Sequence, residues 1–124
     1  DVRVMIPERP DHLLVFLSAF SFLPDMLRAG VKIYRYLPGF LHQKVMLVDS
    51  SAATVGTVNL DNRSFRLNFE ITAFIPNQDF AASVESMLEN DFSQCRRVSI
   101  DEINQRSMWM KVVSRAAYLM APVQ

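Results

Sequence analysis

The chain has a single cysteine, Cys95, among its 124 residues, and one thiol cannot pair within the chain. A disulfide scaffold is therefore excluded. Glycine is scarce, with only 3 residues, and no low-complexity tract interrupts the sequence, so neither a flexible linker nor a fibrous repeat is present. Charge of one sign is lacking as well, because 13 Lys and Arg balance 13 Asp and Glu. That balance argues against a general nucleic-acid binder, whose footprint is a basic excess. The longest apolar run, residues 13–23, is about half of the roughly 20 residues that cross a bilayer. No secretory leader stands at the N-terminus, and the opening on Asp1 reads as a cut through a larger protein.

What remains is an apolar, evenly charged chain with half of its residues hydrophobic, which excludes intrinsic disorder. Its length suits one domain, 1–124, burying roughly two thirds of the surface that the unfolded chain exposes. Residues 2–6 alternate and stop at Pro7, as a strand does. Asp11 is placed to cap an apolar helix over 13–22, and Pro24 is expected to restart a short helix that stops at Gly30. Residues 31–36 read as a second strand, closed by Pro38-Gly39. Residues 40–49 and 53–58 read as two more strands around a Ser50-Ser51 turn, 61–68 as an irregular polar loop, and 69–75 as a fifth strand. Asn77 or Asp79 caps a helix with an apolar face of Phe80, Val84, Met87, Leu88 and Phe92. Ser99, with Glu102 three residues on, is a capping box for a further helix. Strands mixed with helices in this order predict an α/β domain, a mixed sheet flanked by helices.

Charge is uneven along the chain. Arg28, Lys32, Arg35, Lys44, Arg63 and Arg66 face only Asp49 and Asp61 over the same stretch, which suits an anionic substrate. Within that stretch lies His42-Gln43-Lys44, then Asp49, then Gly56-Thr57-Val58-Asn59. On a strand, alternate side chains share a face, so His42 and Lys44 are expected side by side. An imidazole beside an ammonium, away from any cluster with metal-ligand spacing, suits a phosphate site. The imidazole there needs an acceptor for its other ring nitrogen, and Glu70 is the carboxylate in place for it. Taken alone, a histidine and a lysine two apart are more often an ordinary strand surface. The rest of the spacing sets that reading aside.

His42-x-Lys44-x4-Asp49 followed by Gly56-Thr57-x-Asn59 resembles the phosphatidyltransferase motif of the phospholipase D superfamily. The flanking text, Tyr34-Arg35-Tyr36 up to His42 and Asn59-Leu60-Asp61-Asn62-Arg63-Ser64 on to Glu70, is similar to the C-terminal catalytic half of the bacterial cardiolipin synthases. The resemblance covers nearly the whole chain. It implies a second phospholipase D-like domain, truncated at its N-terminus, with His42 forming a phosphohistidine or protonating the leaving alkoxide. Lys44 and Asn59 would be phosphate ligands, Glu70 the partner of the histidine, and Asp49 a residue that fixes the turn. Arg63 and Ser64 would line the site. The implied reaction joins two phosphatidylglycerol molecules into cardiolipin and glycerol at the bacterial cell membrane, with no cofactor and no metal. Ser50-Ser51, where the family is commonly acidic, and Val58, where it is smaller, depart from the pattern without touching the phosphate chemistry.

The larger departure is that only one motif is present, whereas the family's site is built from two. The isolated chain is therefore expected to be inactive or nearly so unless the other half of the parent, or a second copy, faces it. Two other readings remain open at this level: a homodimeric single-motif phosphodiesterase or nuclease, and a non-catalytic fragment that docks on a partner or membrane. No nucleic-acid partner is expected. His12 reads as a surface residue and Cys95 as a small, partly buried one. Residues 108–120 form an amphipathic pattern with Trp109 on the apolar arc and Lys111 and Arg115 opposite, suited either to a membrane interface or to packing within the protein.

Overall fold

A computed structural model of the chain describes residues 1–9 and 13–105. The expectations at Asp11 and His12 and over 108–120 lie outside the described residues. The fold resolves into two compact units, Asp1–Leu41 with Gln94–Gln124, and His42–Ser93.

In the first unit, β1 (Arg3–Pro7) and β2 (Lys32–Tyr36) run parallel, joined by α1 (Leu13–Arg28). A short β6 (Cys95–Arg97) is antiparallel to β2, which makes this sheet mixed; α4 (Ile100–Asn104) follows it. Phe20, Leu23, Ile33, Val98 and Ile103 form the core, with Ile6, Met26, Leu27 and Val31 packed against it. That core corrects one expectation. Pro24 does not restart a helix but lies inside α1, which runs unbroken to Arg28. A mid-helix proline costs about 3 kcal/mol, and Leu23, Met26 and Leu27 offset it by carrying the buried face across the break. The helix then ends where expected, because Gly30 adopts a φ of 88°. The Val31 amide donates to Met26 O and the Gly30 amide to Leu27 O, the paired bonds of a Schellman cap.

The alternation pattern did not disclose β6, since Cys95-Arg96-Arg97 is short and carries no alternation of apolar and polar residues. Ion pairs hold it instead. Arg96 forks onto Glu102 at 2.8 and 3.2 Å and also reaches Glu8 at 3.4 Å. Glu8 in turn accepts from Arg35 at 3.1 Å, a buried guanidinium that lies 5.0 Å from the Phe20 ring centre. Ser99 caps α4 as expected, accepting from the Glu102 amide at 3.2 Å.

In the second unit, β3 (Val45–Val48), β4 (Ala52–Gly56) and β5 (Thr72–Ile75) form an antiparallel sheet in that order. A short α2 (Asn62–Arg66) lies between β4 and β5, and α3 (Gln78–Ser93) follows. Asn77, rather than Asp79, caps α3 through the Phe80 amide at 2.8 Å. Ala81 and Val84 of α3 are buried, as are Ala52 and Ala53 of β4. Two expectations are corrected here. Residues 61–68 are not irregular throughout, because Asp61 caps α2 by accepting from the Ser64 amide at 2.7 Å. Residues 40–44 are not strand, so the alternation invoked to place His42 beside Lys44 does not operate.

The β3–β4 turn has Asp49 and Ser50 at φ 46° and 52°, closed by the Ser51 amide on Val48 O at 3.0 Å. Two successive positive φ values match the twist that a hairpin needs. At the other end of β4, Gly56 pairs with Thr72 so closely that an added Cβ would lie 2.7 Å from the Thr72 Cα and nearer still to the Ile71 carbonyl oxygen. Replacing Gly56 by alanine is expected to lower stability by about 1–3 kcal/mol. Gly39→Ala, which meets nothing within 4 Å, should stay within about 0.5 kcal/mol. Urea midpoints of the two variants at unchanged m-value check this, and equal midpoints would refute the close approach.

Candidate active site

His42, Lys44, Asp49, Asn59, Arg63, Ser64 and Glu70, the site residues expected from the sequence, fall in the second unit. β4 and β5 organise them. Past the Gly56–Thr72 pair, the Thr57 amide donates to Ile71 O at 2.9 Å, and the Ile71 amide donates to the Thr57 hydroxyl oxygen at 3.1 Å. This brings residue 57 against residue 70. The Thr57 hydroxyl donates to one carboxylate oxygen of Glu70, and the Asn68 side-chain amide donates to the other at 3.1 Å. Arg63 Nε donates to Asn68 Oδ1 at 3.2 Å, so a chain of bonds runs from α2 to the carboxylate.

Glu70 is held below the ordinary carboxyl value of 4.5, first by the Thr57 hydroxyl and then by the Asn68 amide. Partial desolvation works against them, while the Ser64 hydroxyl and the positive charge of Lys44 add smaller pulls in the same direction. A carboxylate with two hydrogen bonds and a nearby ammonium favours its charged form. Lys44 is thus in electrostatic reach of Glu70, although it is not on a strand.

The segment that carries His42 and Lys44 is fixed by individual bonds. The Gly56 amide donates to Lys44 O at 3.1 Å, and Lys44 Nζ donates to His42 O at 2.8 Å. Gln43, between them, donates to Asp91 near the end of α3 at 2.8 Å. One of the three N–H donors of the ammonium is used on the His42 carbonyl. His42 is exposed to solvent.

Ser64 is buried and its hydroxyl accepts from the Asn59 amide at 3.2 Å, which ties the Gly-Thr-x-Asn segment to α2. Asn59 and Arg63 are exposed. Asp49 sits in the β3–β4 turn, with the whole of β3 between it and Lys44. The structure therefore ties Thr57 and Asn68 to Glu70, links Asn59 to Ser64 and Arg63 to Asn68, leaves Lys44 and Ser64 only weak pulls on Glu70, and places Asp49 at the far end of β3.

Sequence reasoning missed three participants: Thr57, Asn68, and the Gln43–Asp91 tie. Thr57 lay inside the quoted motif without a role. The Asn68-x-Glu70 spacing, which puts both side chains on one side of an extended segment, was a usable signal for the second. Nothing local connects Gln43 with Asp91, which are far apart in the chain.

The sequence model of the family described as "Cardiolipin synthase, PLD-like domain" matches residues 1–92. Among curated proteins, the chain is 47% identical over 123 residues to the cardiolipin synthase A of Pseudomonas putida strain W619, covering 99% of this chain and 26% of that protein. The same protein from Pseudomonas putida strain GB-1 matches at 47% over the same shares of each chain. That of Pseudomonas fluorescens strain Pf-5 matches at 45%, again over 99% of this chain and 26% of the relative. The chain spans about a quarter of the length of the curated relatives that it matches.

The ranking of what holds the Glu70 charge is open to direct measurement. In a carboxyl NMR titration, Thr57→Val should raise the Glu70 pKa most, Asn68→Ala less, and Lys44→Met least. Because the folded value is depressed, the stabilising contribution is present above the ordinary carboxyl pKa. It is lost as pH falls through the folded value. A larger rise in Lys44→Met than in Thr57→Val would mean that Coulomb attraction, not hydrogen bonding, holds the carboxylate.

Proposed function

The chain belongs to the PLD-like domain family of the cardiolipin synthases, and from that premise we propose that it is one catalytic half of a phosphatidyltransferase. The reaction joins two phosphatidylglycerol molecules into cardiolipin with release of glycerol. Residues 1–124 act in this reading as the second PLD-like domain of a longer parent at the bacterial cell membrane. The observation that carries it is the bonded cluster around Glu70, in which Thr57 and Asn68 hold a carboxylate in reach of Lys44.

The chemistry needs few parts. A ring nitrogen of His42 attacks the phosphorus of the first lipid, and the bond from phosphorus to the glycerol headgroup oxygen breaks. The proton that completes glycerol comes from a histidine facing His42 in the other half. Lys44 and Asn59, with Arg63 and Ser64 beside them, hold the non-bridging oxygens through the transition state. Glu70 accepts the other ring N–H of His42 and so orients the imidazole. Its two oxygens offer about four acceptor positions, of which Thr57 and Asn68 occupy two. A hydroxyl of the second lipid then attacks the phosphohistidine, its proton returns to the facing histidine, and the P–N bond breaks. If the two histidines exchange these roles, every bond and proton still balances. Asp49 acts through the turn that it shapes, not on the phosphate.

The facing half is the remaining partner. On the sheet face that carries Met46, Thr54 and Phe74, Met46 is 53% and Phe74 64% exposed, an apolar surface that a second PLD-like half, or a second copy, would bury.

The test is turnover in phosphatidylglycerol micelles, read as cardiolipin and glycerol. The chain alone should give little or none, and adding the missing half should restore it. His42→Ala should then remove the restored rate by about 10²–10⁴-fold or more, with Lys44→Ala and Glu70→Gln also impaired. Turnover that survives His42→Ala would sink the site assignment.

A further inference from the structure

The segment after α2 has two edges of opposite character. Asn68 and Glu70 are engaged in the bonded cluster with Arg63 and Thr57. The residues that alternate with them are large and apolar, and they stand out in solvent: Leu67 is 65%, Phe69 108% and Ile71 76% exposed. Leu60 and Phe65, just before and within α2, are 75% and 65% exposed. Arg66 interrupts this apolar row as an exposed cation. Asp61 and Glu70, the acidic residues of the stretch, are drawn inward by the Ser64 amide and by Thr57 and Asn68.

Exposed apolar side chains of this size cost free energy in water, and a row of them beside a polar cluster marks a surface that is covered in use. The occupant follows from the charge pattern. The row carries one outward cation, Arg66, while its carboxylates are bonded within the cluster, so its outer side complements an anionic surface with an apolar interior. A diacyl phospholipid has that chemistry in one molecule, with the phosphate covalently joined to the acyl region.

We propose that Leu67, Phe69 and Ile71, with Arg66, form a ridge that enters the surface of an anionic bilayer and seats the acyl side of the lipid while its phosphate lies at the Lys44–Glu70 cluster. This rests on the reading of that cluster as a lipid-phosphate site and adds where the membrane meets the protein.

The test is partition of the full chain onto sucrose-loaded vesicles of mixed phosphatidylglycerol and phosphatidylcholine, against phosphatidylcholine alone. The Leu67→Ser, Phe69→Ser, Ile71→Ser triple variant should lower partition onto the mixed vesicles by at least about tenfold. Arg66→Glu should weaken binding to the mixed vesicles and leave binding to phosphatidylcholine unchanged. Should the triple variant fail to fold, Phe69→Ser alone carries the test. His42→Ala should bind like the unaltered chain, so a failure of the catalytic reading leaves this result intact. Unchanged partition of a folded serine variant would overturn the ridge. If that variant instead turned a dimer into a monomer in sedimentation, the row would be a protein interface.

Discussion

The close approach of β4 to β5 at Gly56 is the constraint on which the site depends. The absent Cβ lets the Thr72 backbone come near, and the Thr57 and Ile71 bonds extend that pairing by one further step. Only then can the Thr57 hydroxyl meet a carboxylate 13 residues away. Between them the chain turns through α2, whose cap at Asp61 and buried Ser64 order the excursion and reduce the freedom lost on closing it. The carboxylate is thus held by backbone geometry first and by side-chain chemistry second.

The two units bury different kinds of side chain. The first has a core of Phe20, Leu23, Ile33, Val98 and Ile103, enough apolar volume to carry a proline through a helix and to enclose Arg35. In the second, the buried apolar side chains are Ala52, Ala53, Ala81 and Val84, which remove little area from water. Its large apolar residues, Met46, Phe65, Phe69 and Phe74 among them, face outward. A unit with small residues inside and large ones outside gains its remaining burial from whatever it meets. The half-site proposed above, set against another half and a lipid surface, would supply that burial.

Where periodicity and terminators agreed, the sequence was legible. Residues 2–6 and 31–36 carried alternation bounded by Pro7 and Gly30, the stripe from Phe80 to Phe92 followed a cap at Asn77 or Asp79, and the structure has β1, β2 and α3 there. Legibility failed where one local signal was outweighed. Pro24 is a breaker by propensity, yet packing on both sides of it keeps α1 whole. Cys95-Arg96-Arg97 lacks a strand pattern, yet Arg96 pairs with Glu8 and Glu102 and the backbone pairs with β2. Residues 40–44 look like the start of a strand, yet only Lys44 meets β4, through the Gly56 amide, while the Gln43 side chain turns to Asp91 on α3.

For the site, the motif that runs through His42, Lys44 and Asn59 carried the resemblance to the family before anything is folded, and the family is the one that the chain belongs to. Residue type and spacing also singled out Glu70 as the carboxylate of interest. Which groups hold that carboxylate was decided only by the tertiary structure. Thr57 reaches Glu70 through the register of β4 on β5, and Gln43 reaches Asp91 through the placement of α3 against β3 and β4. Register and packing arise from contacts between distant segments, which no local preference for helix or strand encodes.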